Sequence, residues 1–555
     1  MKFSAQTRWY ILAAGLLLVF VRGLFIPVMD VDASQYASIS MEMLQNGSWL
    51  EVLHRHTDYL DKPPLLFWLS AFSMKIFGIH TAVYKLPSVL MALLGVYAVG
   101  QFTRMYYSVA TARSAVAILA TSVGLLLLCN DVRTDTLLMG ASAVAIWQMA
   151  AFHREKHWKY LLGAAIMTGM AMLAKGPVGL IAVMAATGAH LALRREWSGI
   201  FRWEWLAGMA VIVLMLVPMS VGLYQQFDVH PEKVINGRTD VSGLYFYFWE
   251  QSFGRITGEN VWKNDTTVFN FLHVYAWAFL PWSLLLLMAL GYHFRQLVLY
   301  RFRLSGAQEG FSLGAFVLLF LALSLSKYKL PHYIFITLPW AAVLTARWLH
   351  AAPPARWWGG VQMMVQSLAT LAVLLIPAWV FFTWNPAIWL PALALAATGL
   401  RLARPRYFAQ ERYVQGVAFT GLLIGFVLNF HYYPQLLPFQ STVAAGRFFV
   451  QQHIPVDQRI QMGGSGHALD FYSRSIIPRI PDTDSLRVVL QEKDRLWMYE
   501  REGARAALDT AGIPYTVVAG YGHFQVALMK PGFLNPATRA GVLQPATILE
   551  VRSGK

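Results

Sequence analysis

Cysteine is nearly absent: Cys129 stands alone among 555 residues. A single thiol excludes an intrachain disulfide and any metal site built from several cysteines. Charge is scarce too. Charged residues make up 13% of the chain, where an ordinary soluble protein carries about a quarter. That excludes a conventional soluble fold for most of the length. The chain has no internal repeat and no Pro- or Ser-rich linker. The missing repeat argues against a transporter or flippase, which commonly carries repeats or broken helices around a midplane site. Acids are fewer than bases, 29 against 45, for a net charge of +16. This excess could suggest nucleic acid, but its distribution along the chain argues against that partner.

Apolar residues are abundant, at 57%, and they come in long runs such as Trp9 to Val28, Trp205 to Leu223 and Val414 to Phe430. A run of about twenty apolar residues suits a helix across the hydrocarbon core of a bilayer. Helices are expected to begin near residues 9, 83, 112, 136, 159, 177, 205, 268, 311, 331, 360, 386 and 412, giving about thirteen spans. The first run is long for a signal peptide and lacks a small-x-small cleavage site, so it reads as a retained helix. Placing the N-terminus in the cytoplasm brings Arg104 and Arg113, Arg194 and Arg195, Arg301 and Arg303, and Arg401, Arg404 and Arg412 to one side. Short loops rich in Lys and Arg stay cytoplasmic, where they also meet anionic lipid headgroups. The fold class is thus mainly α: a polytopic membrane body over 1–435, periplasmic loops at 29–82 and 224–267, and a small soluble α/β periplasmic domain over 436–555. Ala37, Met41 and Leu44 recur at helical spacing and predict an amphipathic helix lying in the interface. "REGARAALDTAG" predicts a short helix ending at Gly512, and "YTVVAGYGHFQVALM" a β-rich stretch with a glycine turn.

Ionisable residues beside a bilayer are costly and tend to be functional. On the expected outer face they collect at helix ends and in loops: Asp30, Asp32, Asp61, Asp131, Asp135 and Glu250 among the acids, and Arg22, Lys62, Arg133, Lys175, Arg255, Lys327 and Lys329 among the bases. Basic residues there run against the positive-inside bias, so an anionic partner is expected to compensate them. A cationic rim suits a phosphate, and carboxylates suit a general base or a metal. Asp32 has a plain alternative as a helix N-cap, with Gln35 three residues on, and capping is equally open for Asp131 and Asp135. In "DYLDKPPLLFW" the pair Pro63-Pro64 fixes the backbone and holds Lys62 extended. The alternative there is a Pro-initiated helix with a lysine at the interface.

Taken together, "MDVDAS", "YLDKPP", "NDVRTD", "LAKGPVGL", "FGRITGEN" followed by "FLPWSLLL", and "SLSKYKLPHYI" resemble the bacterial aminoarabinose lipid A transferase family. That family lies within the GT-C glycosyltransferases, which include the protein O-mannosyltransferases. The resemblance implies an enzyme that takes a sugar from a polyprenyl phosphate at the outer face of the bacterial inner membrane. It also implies that Asp32 and Asp135 are the catalytic carboxylates and that Lys62 and Arg255 hold the donor phosphate, joined here by Lys175, Lys327 and Lys329. Tyr59 and Tyr333 line the cavity in that scheme, and Asp30, Asp61, Arg133, Glu250 and His332 are grouped with them. Asp61 replaces the family's usual Glu, and "WEQSFGR" lacks a histidine common in the subgroup. The sugar, and a lipid or protein acceptor, stay open. Asp30, Asp32 and Asp135 could together hold Mg²⁺ or Mn²⁺. No His/Cys cluster is expected, so metal dependence is expected to be absent or modest.

Overall fold

The structure is a computed structural model. It describes residues 4–252, 254, 264, 266–306, 308–352, 356–404, 410–463, 466–501 and 503–553. Arg255 lies outside these residues. The longer helices of the body are α1 (Ala5–Leu24), α2 (Asp32–Asn46), α3 (Leu65–Phe77), α4 (Thr81–Tyr106), α5 (Val109–Ala120), α6 (Val123–Asn130), α7 (Thr134–Glu155), α8 (Trp158–Lys175), α9 (Val178–Arg194) and α10 (Glu204–Leu223). They continue with α11 (Asn270–Ala278), α12 (Ser283–Leu299), α13 (Phe311–Ser324), α14 (Leu338–Ala351), α15 (Arg356–Val380), α16 (Pro386–Leu402) and α17 (Gln410–Val427).

Each of the expected starts falls on or within a few residues of a helix. Among the described residues, seven helices are long and apolar enough to cross a membrane, or eight if the bent pair α5–α6 is one span. Several others, including α9, α12, α13 and α16, are apolar but shorter. The chain is a multi-span membrane protein.

Packing between these helices uses small residues where backbones approach. A Cβ added at Gly140 of α7 would stand 2.2 Å from the Met91 carbonyl oxygen of α4, and one at Gly95 would stand 2.8 Å from the Gly140 Cα. Burial of charge is handled by hydrogen bonding. Lys85 is fully buried, and its Nζ donates to the carbonyls of Gly23 (3.2 Å), Ile26 (2.7 Å) and Asn130 (2.6 Å). The lysine thereby satisfies backbone groups left open where α1 and α6 end.

Two expectations change in three dimensions. The helix α2 does not lie exposed in an interface. Ala37 and Met41 are buried, and so are Tyr36, Ile39, Glu42 and Met43 on its other sides. The reason is that α2 is enclosed by α3, by the hairpin β1–β2 (Leu53–His54 and Thr57–Asp58) and by a C-terminal helix, α19 (His467–Ser473). Glu42 is satisfied there by the backbone N–H groups of Arg55 and His56, each at 2.7 Å.

Beyond the body, α18 (Ser441–Gln451), α19, α20 (Thr483–Glu492) and α21 (Ala504–Ala511) pack around a four-stranded sheet. Its order is β3-β4-β6-β5, with β3 (Arg459–Met462) parallel to β4 (Arg495–Arg501), and β6 (Gln544–Arg552) antiparallel to both β4 and β5 (Tyr515–His523). Alternation along β4 sends Leu496 and Met498 to a core with Leu486 and Leu508, and Tyr499 to another with Phe449 and Leu469. The helix α21 stops at Gly512, whose φ of 64° suits glycine, as expected. The stretch with Gly520 and Gly522 does not turn. It runs as the single strand β5, with an irregularity between Val517 and Ala519, because β6 pairs along its length. Val443, Ala468, Phe471 and Tyr472 join the main hydrophobic core of the body, and Phe524, Val526 and Phe533 pack against Ile26, Val380 and Phe381, so α18, α19 and the segment after β5 all join the C-terminal part to the helices.

Candidate active site

The site begins with three helix ends. Arg133 has an extended backbone and precedes α7, whose first turn carries Asp135. A carboxylate there is favoured by the helix dipole. Lys175 is the last residue of α8, where a cation is favoured. Gly176, at φ 82°, then reverses the chain into Pro177 and α9. A side chain at that φ is strained, so the glycine secures a tight corner that sets Lys175 against α7. Asp32 opens α2, with Val31 as its N-cap.

These ends produce a chain of ion pairs. Arg133 Nη1 donates to Asp32 Oδ2 at 2.7 Å. The same guanidinium grips Asp131 Oδ2 through Nε (2.9 Å) and Nη2 (2.8 Å). Lys175 Nζ pairs with Asp135 Oδ1 and lies 3.8 Å from the centre of the Tyr333 ring. His332 links the two halves, with Nε2 3.6 Å from Asp135 Oδ2 and Nδ1 3.5 Å from Arg133 Nη1. Burial opposes the charge on Arg133, and the Asp131 and Asp32 carboxylates more than offset it, so the group stays firmly protonated. Asp32 is not a helix cap: its N-cap position belongs to Val31, and its carboxylate faces Arg133. Neither Asp131 nor Asp135 caps α7; the Arg133 N–H instead meets Thr136 Oγ1 at 3.5 Å.

Beside this chain runs a narrow cleft of about 100 Å³. Lys62, Lys175, Gln251 and Tyr333 line its polar part; Val178, Ile181, Leu319 and Leu323 of α9 and α13 form its apolar wall. The prolines stand at the start of a helix, the plainer of the two readings the sequence allowed. Pro64 is the N-cap of α3, and Lys62 sits in the bend before it, at the cleft, with Nζ 3.3 Å from the Asp61 carbonyl oxygen. Tyr59 lines an adjoining pocket with Lys62, Pro63 and Pro64.

Other residues named from sequence lie elsewhere. Asp30 takes bonds from Ser34 Oγ, from Thr442 Oγ1 (3.2 Å) and from the Ala468 N–H (3.2 Å). It therefore holds the C-terminal part of the chain to the body, and burial raises its carboxyl above the usual range. Asp61 accepts from Asn236 Nδ2 at 3.2 Å. Glu250 pairs with Arg238 at 2.9 Å. Lys329 is nearly buried, its Nζ donating to the Thr266 carbonyl at 3.1 Å, and Lys327 is exposed in the same loop.

Sequence reasoning missed Gln251 and Ser252 in the cleft, and the pair His54 and His467, whose ring nitrogens are 3.2 Å apart. No local pattern signals a pair separated by 413 positions. Burial pushes these imidazoles down, to about 3 for His54 and about 4 for His467.

Asp30, Asp32 and Asp135 do not converge on one metal position; each already has a partner on a different part of the chain. A cluster that was not expected does form. His153, His190 and Glu196 bring their donor atoms within 4.8 Å of one another, the one such group among the described residues. They come from the C-terminal end of α7, from α9 and from the segment after α9, so only the fold unites them. His190 Nδ1 accepts the Gly310 N–H at 3.1 Å. That tautomer leaves a proton on Nε2, which makes the ring a donor there and a poor metal ligand.

A family model described as dolichyl-phosphate-mannose-protein mannosyltransferase matches residues 61–221. The undecaprenyl phosphate-alpha-4-amino-4-deoxy-L-arabinose arabinosyl transferase of Pseudomonas aeruginosa is 28% identical over 322 residues, 56% of this chain and 53% of that one. The protein of the same name from Edwardsiella ictaluri is 25% identical over 61% of this chain and 58% of its own. The chain thus matches about half the length of these curated relatives. An uncharacterised protein of Aquifex aeolicus is 24% identical over 87% of this chain and 90% of its own. In fold, the chain is similar to ArnT from Cupriavidus metallidurans in the apo state, with a TM-score of 0.71 at 18% identity over 99% of this chain and 98% of that one. The same ArnT bound to undecaprenyl phosphate also superposes with a TM-score of 0.71, at 18% identity over 98% and 97% of the two chains. The resemblance carried by the motifs therefore extends to the architecture, and the chain shares the fold of ArnT.

Proposed function

We propose that this protein transfers a sugar from a polyprenyl-phosphate donor to a lipid acceptor bearing a phosphate. The observation that carries the reading is the cleft in which Lys62 and Lys175 stand at the head of an apolar wall, against the Asp135 and Asp32 ion pairs. A phosphate fits the lysines and a prenyl chain fits the wall between α9 and α13. The names of the relatives support the same donor class.

In this scheme an oxygen of the acceptor phosphate attacks the anomeric carbon. The bond from that carbon to the donor phosphate breaks, and polyprenyl phosphate leaves with the electron pair. Lys62 and Lys175 stabilise the charge that grows on the leaving oxygen, and the resemblance adds Arg255. The attacking phosphate oxygen is already ionised and needs no base. Asp32 and Asp135 accordingly orient the sugar and the acceptor, held in place by Arg133 and Lys175. The N-terminus lies in the cytoplasm, and the site and the C-terminal sheet lie in the periplasm; the arginine-rich connections support that orientation. The purified protein in liposomes, given a polyprenyl-phosphate sugar and a lipid phosphate acceptor, should yield glycosylated lipid by mass spectrometry. Transfer from a nucleotide sugar without any polyprenyl donor would overturn this assignment.

A further inference from the structure

At the end of the helical body away from the Asp32 cluster, α1, α16 and α17 enclose a second cavity, of about 620 Å³. Its mouth carries Arg8 of α1, Arg401 of α16 and Arg412 of α17, and among the described residues no acidic one lines it. Its far end reaches Leu18, Pro391 and Phe426, and the wall between is apolar apart from Thr398. Ten residues separate Arg8 from Leu18 and ten separate Pro391 from Arg401, so the groove runs about 15 Å along the helices. That is about half of a hydrocarbon core of about 30 Å, the depth of one leaflet.

The arginines are arranged as well as abundant. Arg8 Nε donates to Gln415 Oε1 at 2.6 Å, and the Gln415 amide donates to the Ala5 carbonyl at 3.0 Å. The nearby acid Glu411 takes a hydrogen bond from Trp9 Nε1 at 2.5 Å. Arg8 and Arg412 stand near enough to repel one another, with Glu411 attracting Arg8. The positive-inside bias explains basic residues at this end of the bundle, but not why three of them from three helices ring one apolar groove. The two features together match a molecule with an anionic head and a single-leaflet tail.

We propose that this groove is a binding site for a glycerophospholipid with an anionic headgroup. Its phosphate lies among Arg8, Arg401 and Arg412, and one acyl chain runs along α1, α16 and α17. A phosphodiester accepts charge-assisted hydrogen bonds from guanidinium groups. The site is separate from the cleft at Lys62 and serves to fasten α16 and α17 to α1 through a lipid.

The test uses the full-length protein in detergent, with phosphatidylglycerol and phosphatidylcholine of the same acyl chains offered together and retention read by native mass spectrometry. The wild type should retain phosphatidylglycerol with at least about tenfold preference. Arg401 is exposed, so Arg401→Gln folds, and it should lower that preference about fivefold, the effect of one basic residue near an anionic lipid. Arg8→Gln with Arg401→Gln and Arg412→Gln should abolish it. Ala394 is an exposed lining residue, and Ala394→Trp should fill the groove and displace both lipids. Equal retention of the two lipids by the wild type would overturn the proposal. So would an unchanged preference in Arg401→Gln, unchanged retention of the lipids by Ala394→Trp, or a second copy of the chain found in the groove's place as a lipid-free dimer.

Discussion

Asp32→Asn separates catalysis from structure, because the geometry makes the two effects differ in size. The carboxylate accepts one bond from Arg133 at 2.7 Å, with side-chain exposures of 36% for Asp32 and 21% for Arg133. A partly exposed pair of this kind contributes about 0.2–1 kcal/mol. Asparagine keeps the volume and an accepting oxygen, and Arg133 keeps both bonds to Asp131. The variant should therefore fold and insert, with stability lowered by about 1 kcal/mol at most. Activity should fall much further. A charge-assisted hydrogen bond is worth about 1.5–3 kcal/mol, roughly 10- to 150-fold, and removing a group that acts in the transition state costs about 10²–10³-fold. Asp131→Asn is the matched control. It removes the charge that holds Arg133 through two bonds and leaves Asp32 in place, so its loss of activity should be the smaller one. The assay is sugar transfer in liposomes at equal amounts of folded protein, with thermal unfolding measured in parallel. Turnover of Asp32→Asn within about threefold of wild type, a change of only about 0.7 kcal/mol, would refute the reasoning and leave Asp32 as a partner of Arg133 alone.

Three further outcomes are expected. Lys62→Ala should lower transfer at least about tenfold through loss of one charge-assisted contact to the donor phosphate, and Lys62→Arg should restore only part of it because a planar fork replaces a compact ammonium; equal rates for all three proteins in a donor titration would count against the cleft as the donor site. Lys175→Met should destabilise the fold by about 3–5 kcal/mol, as breaking a buried pair does, since Asp135 is 4% exposed and among the described residues retains His332 at 3.6 Å as its ion-pair partner; a melting temperature unchanged by this variant would disagree with that burial. His54 and His467 are held neutral in the fold, with pKa values depressed to about 3 and about 4, whereas unfolded imidazole titrates near about 6.5. Their contribution to stability is thus complete above about pH 6.5 and is lost as the pH falls towards 4, by at most about 1.4 kcal/mol per pH unit for each ring. Hydrogen exchange in α19 that quickens over this range in wild type but less in His467→Gln would agree; equal pH dependence in both would not.

Helix positions were legible because a bilayer demands long apolar runs, and such runs are a local property of the chain. The same holds for the corners at Gly176 and Pro63-Pro64, where backbone chemistry acts within a few residues. The motifs pointed to Lys62, Asp32, Asp135 and Lys175, and the fold brings these four close to one cleft. What sequence could not decide was partnership. Asp30 and Asp32 are two residues apart, yet one faces Thr442 and Ala468 and the other Arg133. The spacing Ala37, Met41, Leu44 is the same for a helix on a membrane surface and for one covered by protein. The packing of α3, the β1–β2 hairpin and α19 around it buries α2. The His54–His467 pair, the His153–His190–Glu196 cluster and the three arginines at the second groove join residues from separate helices and loops. Local sequence determined where helices form and which charges sit at their ends, because hydrophobic burial and backbone sterics act over short stretches. Tertiary structure decided which of those charges meet, because pairing depends on distance in space, and distance along the chain does not set it.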